Sequence, residues 1–141
     1  GMGFNQQLGA TASAGSLTAI SLRYGIPTGS PTINFQVEAN AGVDVAKAGT
    51  RGAGGLRFLY GVVAEDNMNL YLGAGVGYLY DGVNPDGSAV RVQPALEAQF
   101  FAFGLENLGF TAGVGLNVDI GDGVGLTTVG GAPNVGMHYY F

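Results

Sequence analysis

The chain has one histidine, His138, and it stands two residues before Tyr140 in the closing stretch VGMHYYF (135–141). As a general base, His138 would need a serine and a carboxylate close by. The alternation of that stretch turns His138 and Tyr140 to one side, and Val135, Met137, Tyr139 and Phe141 to the other. The linear pattern sets no serine with a carboxylate convincingly beside His138. The expectation is therefore a histidine satisfied inside the protein and no enzymatic role. One histidine and no cysteine exclude multi-histidine and thiolate metal centres. Neither a cofactor nor a resident metal is expected.

Charged residues offer a second kind of chemistry. Arg23, Glu38, Arg57, Arg91, Glu97 and Asp119 all fall on the polar side of alternating stretches. Counting from the turns brings Arg23, Glu38, Arg57 and Glu97 to a similar height, two cations with two anions. Enclosed charges left unpaired are expensive, so these four predict an internal ion-pair network. Such a network reads as a structural plug, or alternatively as a gate to a narrow channel.

Glycine and aspartate motifs lead nowhere further. GAGVG (73–77) resembles a fragment of a dinucleotide loop, but it lies inside a strand pattern with no helix after it. GTRGAGG (49–55) lacks the Lys-Ser/Thr of a phosphate-binding loop. DGVNPDG (81–87) and DIGDG (119–123) lack the calcium-loop spacing and its closing glutamate, and read as turns.

The elements that must position these residues repeat with a period of two. In LGFTAGVGLNVDI (108–120), Phe110, Ala112, Val114, Leu116, Val118 and Ile120 share one face, opposite Thr111, Gly113, Gly115, Asn117 and Asp119. TINFQVEANAGV (32–43) and MNLYLGAGVGYLY (68–80) alternate in the same way. Weaker strands are SLTAISLRYGI, GGLRFLYGVV and AVRVQPALEAQF, where Pro94 predicts a bulge or local break. GFNQQLGATA at the start and PNVGMHYYF at the end bring the count to eight. Connections are expected near 26–31, 64–67 and 104–107 at one end, and near 13–16, 44–54, 81–88 and 119–131 at the other. Residues 1–141 read as one domain, an all-β, eight-stranded antiparallel up-and-down barrel.

Composition decides which face is outside. Charged residues are 11% of the 141, against about a quarter in typical globular domains, and 47% are hydrophobic. The polar face is Gly, Asn, Gln, Ser and Thr, which suits a narrow interior better than a solvated surface. Aromatic residues gather at the end nearest both termini: Phe4, Tyr24, Phe35, Tyr60, Phe100, Phe110, Tyr139 and Phe141. That placement predicts a girdle at a membrane–water interface. Five Lys and Arg and a net charge of −5 argue against nucleic acid. The opening GMGFNQQL lacks the charged and apolar regions of a signal peptide, so the protein is either not exported or a mature form with its signal removed.

With eight strands and the ending VGMHYYF, the chain resembles small bacterial outer-membrane β-barrels of the OmpA/OmpX type. The resemblance implies a transmembrane barrel in the lipid bilayer of the outer membrane, termini on the periplasmic side. It also implies that Met137, Tyr139 and Phe141 form the signal read by the barrel-assembly machinery. High glycine content and short outer loops depart from the best-known members, so their adhesion or defence roles are not carried over. The functional expectation is a structural or interaction barrel with a filled polar lumen, with an envelope protein as its partner. A gated narrow channel and a soluble lipocalin-like ligand-binding barrel are the alternatives.

Overall fold

Alternating chains of this kind gain nothing from an open sheet, whose edges leave N–H and C=O groups unpaired; closing the sheet on itself removes the edges. A computed structural model describes residues 1–5, 19–29, 34–47, 49–84, 88–121, 123–128 and 134–141. Its strands are β1 (Met2–Asn5), β2 (Ala19–Ile26), β3 (Asn34–Ala46), β4 (Gly49–Glu65), β5 (Met68–Asp81), β6 (Ala89–Ala102), β7 (Leu105–Ile120), β8 (Val124–Thr128) and β9 (Asn134–Tyr139). Each pairs antiparallel with its neighbour, β1 pairs with β9, and β6 pairs with β7 to complete the wall.

β8 and β9 both pair with β7, β9 along Leu108–Gly113 and β8 along Leu116–Ile120. Together they occupy a single position in the wall, so the protein is a closed eight-stranded antiparallel barrel. The wall also closes with a stagger. Register partners followed from Met137 through Phe4, Ile20, Ala41, Gly54, Tyr78, Val90 and Ile120 return to the last position at Val124, far along the chain from Met137. Strands in such a barrel tilt against its axis.

Several boundaries differ from the sequence reading. Most of the loop expected at 44–54 is strand: β3 and β4 stay paired out to Ala46↔Gly49. The connection expected at 119–131 contains the end of β7 and all of β8. The turn expected at 104–107 is Phe103–Gly104, where Gly104 takes φ 78°, and ladder pairing begins at Ala102↔Leu105. Pro94 makes no bulge. The β6–β7 partners stop at Val92↔Val118 and resume at Ala95↔Gly115 in the same register, as expected of a residue with no N–H to donate. Irregularities fall instead at Gly61/Val63 and Phe101/Ala102. The connection at 13–16 and most of the first expected strand lie outside the described residues.

Polarity is inverted relative to a water-soluble core. Ser21, Arg23, Glu38, Arg57, Arg91, Gln93, Glu97, Gln99, Asn117 and His138 are buried, while Ile20, Leu22, Phe58, Leu72, Val76 and Val114 stand exposed on the wall. The buried apolar set among the described residues is small: Ala19, Leu59, Tyr71 and Leu79. Cohesion inside the barrel therefore rests on polar contacts more than on hydrophobic burial.

Glycine makes room for the large inward side chains. Arg57 on β4 pairs with Gly75 on β5, and a Cβ at Gly75 would lie 2.8 Å from Arg57 Cγ. Gly75→Val is expected to displace Arg57 and destabilise the barrel by about 1–3 kcal/mol through overpacking. Urea titration checks this, with a lowered midpoint as the expected result.

Candidate functional site in the lumen

Three consecutive strands bring a cation, an anion and a cation into one register row: Arg23 on β2, Glu38 on β3 and Arg57 on β4. Alternation turns all three inward. From the other side of the lumen β6 presents Glu97, two residues from Gln99 along the same inward row. Arg23 Nε donates to Glu38 Oε2 at 2.9 Å, and Arg23 Nη2 donates to the same oxygen. Arg57 Nη1 lies 3.3 Å from Glu38 Oε2 and Arg57 Nη2 lies 3.1 Å from Glu97 Oε2. Arg23 Nη1 sits 2.8 Å from Glu97 Oε1, closing the circuit. The result is a ring of four alternating charges with fully buried side chains. Each charge touches two of opposite sign, and the sum is zero.

Polar tiers flank the ring. Toward the end that carries the termini, Tyr71 Oη accepts from Gln36 Nε2 at 2.7 Å and Asn34 Nδ2 at 3.0 Å, and donates to Gln99 Oε1 at 3.3 Å. Gln99 Nε2 in turn donates to Tyr140 Oη. Toward the far end Gln93 Nε2 donates to Asn117 Oδ1 at 2.8 Å, bridging the ladder gap beside Pro94. Beyond it Arg91 grips Asp119 in two parallel bonds of 2.6 and 2.7 Å. Between ring and far tier, the Asn40 side chain has no hydrogen-bond partner among the described residues.

His138 has a serine partner that sequence reasoning missed. Ser21 Oγ and His138 Nε2 are 2.5 Å apart, and both residues are buried. The two lie in the same row on either side of Gly3, with Ser21↔Gly3 on one flank and Gly3↔His138 on the other. A Cβ at Gly3 would lie 1.9 Å from the Met137 carbonyl oxygen and 2.7 Å from His138 Cα, so the close approach of β9 backbone requires glycine there. The missed signal was Gly3 itself, the one inward position of β1 with no side chain. His138 Nδ1 faces no partner among the described residues, so this pair lacks the carboxylate of a triad. It ties β2 to β9 across the seam where the wall closes.

The eight girdle residues Phe4, Tyr24, Phe35, Tyr60, Phe100, Phe110, Tyr139 and Phe141 all stand on the outer wall, from 41% exposed at Phe35 to 93% at Phe141. Phe35 and Tyr60 are register partners with ring centroids 5.1 Å apart, and Phe100 pairs with Phe110. Met137, Tyr139 and Phe141 face outward; Tyr140 turns in against Phe101 at 5.7 Å. At the far rim Asp81 accepts from the N–H groups of Val83 and Asn84 at 3.0 and 3.1 Å. Chiefly the Asn84 N–H, then the Val83 N–H and Arg51, hold its carboxyl below the ordinary carboxylate range.

No protein-family model matches the sequence, and neither does any curated protein. Fold and lumen by themselves define the class: a closed eight-stranded antiparallel barrel with a polar, ion-paired interior and an apolar exterior.

Breaking the ring from one side strands a buried charge. Arg57→Gln is expected to destabilise by about 3–5 kcal/mol, and Glu38→Gln by a similar amount. The double variant removes one charge of each sign, and its loss should fall well short of the two single losses added together. Unfolding midpoints of the four chains in one detergent form the cycle that measures this coupling.

Proposed function

We propose that this chain is an integral barrel of a bacterial outer membrane, similar to the OmpA/OmpX type. In this reading it is a structural or interaction element of the envelope, without catalytic function. The observation that carries the reading is the inverted polarity: ion pairs and amides inside, a continuous apolar wall outside. A soluble barrel of the lipocalin kind places its apolar face inward, the reverse arrangement. Water-soluble proteins rarely expose apolar patches beyond a few hundred Å², whereas here long rows of Leu, Val, Ile and Phe face out from most strands.

The dimensions agree with this reading. A crossing β-strand needs about 9–11 tilted residues, and β3 to β7 run 13 to 17. No helix among the described residues is long and apolar enough to cross a membrane, which says nothing of strands. Girdle aromatics suit the interface at the periplasmic rim, where an amphipathic ring has one face in hydrocarbon. Outward-facing Met137, Tyr139 and Phe141 give the last strand the form that the barrel-assembly machinery reads. The four-charge ring fills the lumen, which favours a plug over a gated channel.

Membrane fractionation with heat-modifiable migration on a denaturing gel tests the reading. The chain is expected in the outer-membrane fraction, with folded and boiled forms migrating differently. Recovery in the soluble fraction without a heat shift would overturn it. A substitution sharpens the test, because Val76 lies about midway along β5 on the outer wall. Val76→Arg should cost about 2–4 kcal/mol if that position faces hydrocarbon, and within about 0.5 kcal/mol if it faces water.

A further inference from the structure

The rim that carries the termini holds an open cavity of about 340 Å³, lined by Gly104, Leu105, Glu106, Asn107, Leu108 and Tyr139. Backbone bonds brace its surroundings. Tyr140 N–H donates to the Asn107 carbonyl at 2.7 Å, and Phe101 N–H donates to the Asn67 carbonyl at 2.9 Å. The volume lies at the lower end of small-molecule sites.

Charge narrows what such a cavity can take. All five Lys and Arg of the chain are elsewhere: Arg23, Arg57 and Arg91 in the lumen, Lys47 and Arg51 at the far end. Among the described residues the cationic group at this rim is the Gly1 ammonium, which already donates to the Arg23 carbonyl at 2.6 Å. A cation would meet the exposed Glu106 carboxylate and the half-exposed ring of Tyr139, whose face attracts ammonium groups. Leu105 and Leu108 supply the apolar flank that an amphiphile needs beside its headgroup.

We propose that this cavity binds the primary ammonium of a zwitterionic lipid headgroup, that of phosphatidylethanolamine. The ammonium sits between Glu106 and Tyr139, the phosphate remains in the hydrated headgroup layer, and the acyl chains run along the apolar wall. The inference rests on the membrane reading above.

Reconstitution into vesicles of equal phosphatidylethanolamine and phosphatidylglycerol, then mild detergent extraction and mass spectrometry of the retained lipid, tests it. The unaltered chain is expected to retain phosphatidylethanolamine over phosphatidylglycerol about threefold, the scale of an exposed charge pair with an aromatic neighbour. Glu106→Gln should abolish the preference, and Tyr139→Leu should reduce it. Flotation and heat shift are read on the same samples. An inserted, heat-shifting barrel with no headgroup preference, or a Glu106→Gln variant with the preference intact, would overturn the site alone. A chain that neither floats nor shifts would overturn the membrane reading and this inference with it.

Discussion

Closing eight strands into a barrel leaves an interior just wide enough for side chains, and in this protein those side chains are charged. Everything else depends on the ring formed by Arg23, Glu38, Arg57 and Glu97. In so narrow a space, an unpaired guanidinium or carboxylate would cost a large share of the small net stability of a whole domain. Two cations and two anions in a closed circuit avoid that penalty, each with two opposite neighbours. The ring also sets what surrounds it. Gly75 must stay bare to admit Arg57, and Tyr71 gathers the Asn34, Gln36 and Gln99 amides on one side of the ring while Gln93 pairs with Asn117 on the other.

Outside, the constraint is the reverse. Once polar groups take the interior, alternation sends every second residue, apolar or aromatic, to the wall. The proposed membrane setting would give a wall of that kind an apolar surrounding. The two faces are thus consequences of one choice, made once by the parity of each strand. Gly3 shows how tightly the closure is drawn. At Gly3, where β1 passes between β2 and β9, no side chain stands inward, and Ser21 reaches His138 over it.

Much of this was legible in residue order, because the period of a strand is local. Alternation alone sorted Phe110, Ala112 and Val114 from Thr111 and Gly113, and it turned Arg23, Glu38, Arg57 and Glu97 to one side. Boundaries were less legible. Residues 44–54 and 119–131 look like connections, since glycine recurs in both, yet ladder pairing carries β3 and β4 into the first and β7 and β8 into the second. Pro94 suggested a bulge or a local break, and it is the break: the β6–β7 ladder is interrupted beside it without a change of register.

Sequence by itself determined the all-β class, the strand faces and the set of residues that fill the lumen, because these follow from a two-residue repeat and side-chain chemistry. Tertiary structure decided who meets whom. Glu97 comes to Arg23 and Arg57 across the lumen, and Ser21 comes to His138 over Gly3. Those meetings depend on the register between strands and on the stagger with which the wall closes. Neither is written in any single strand, since hydrogen-bonded ladders can pair in many registers, and only closure of the whole barrel selects one.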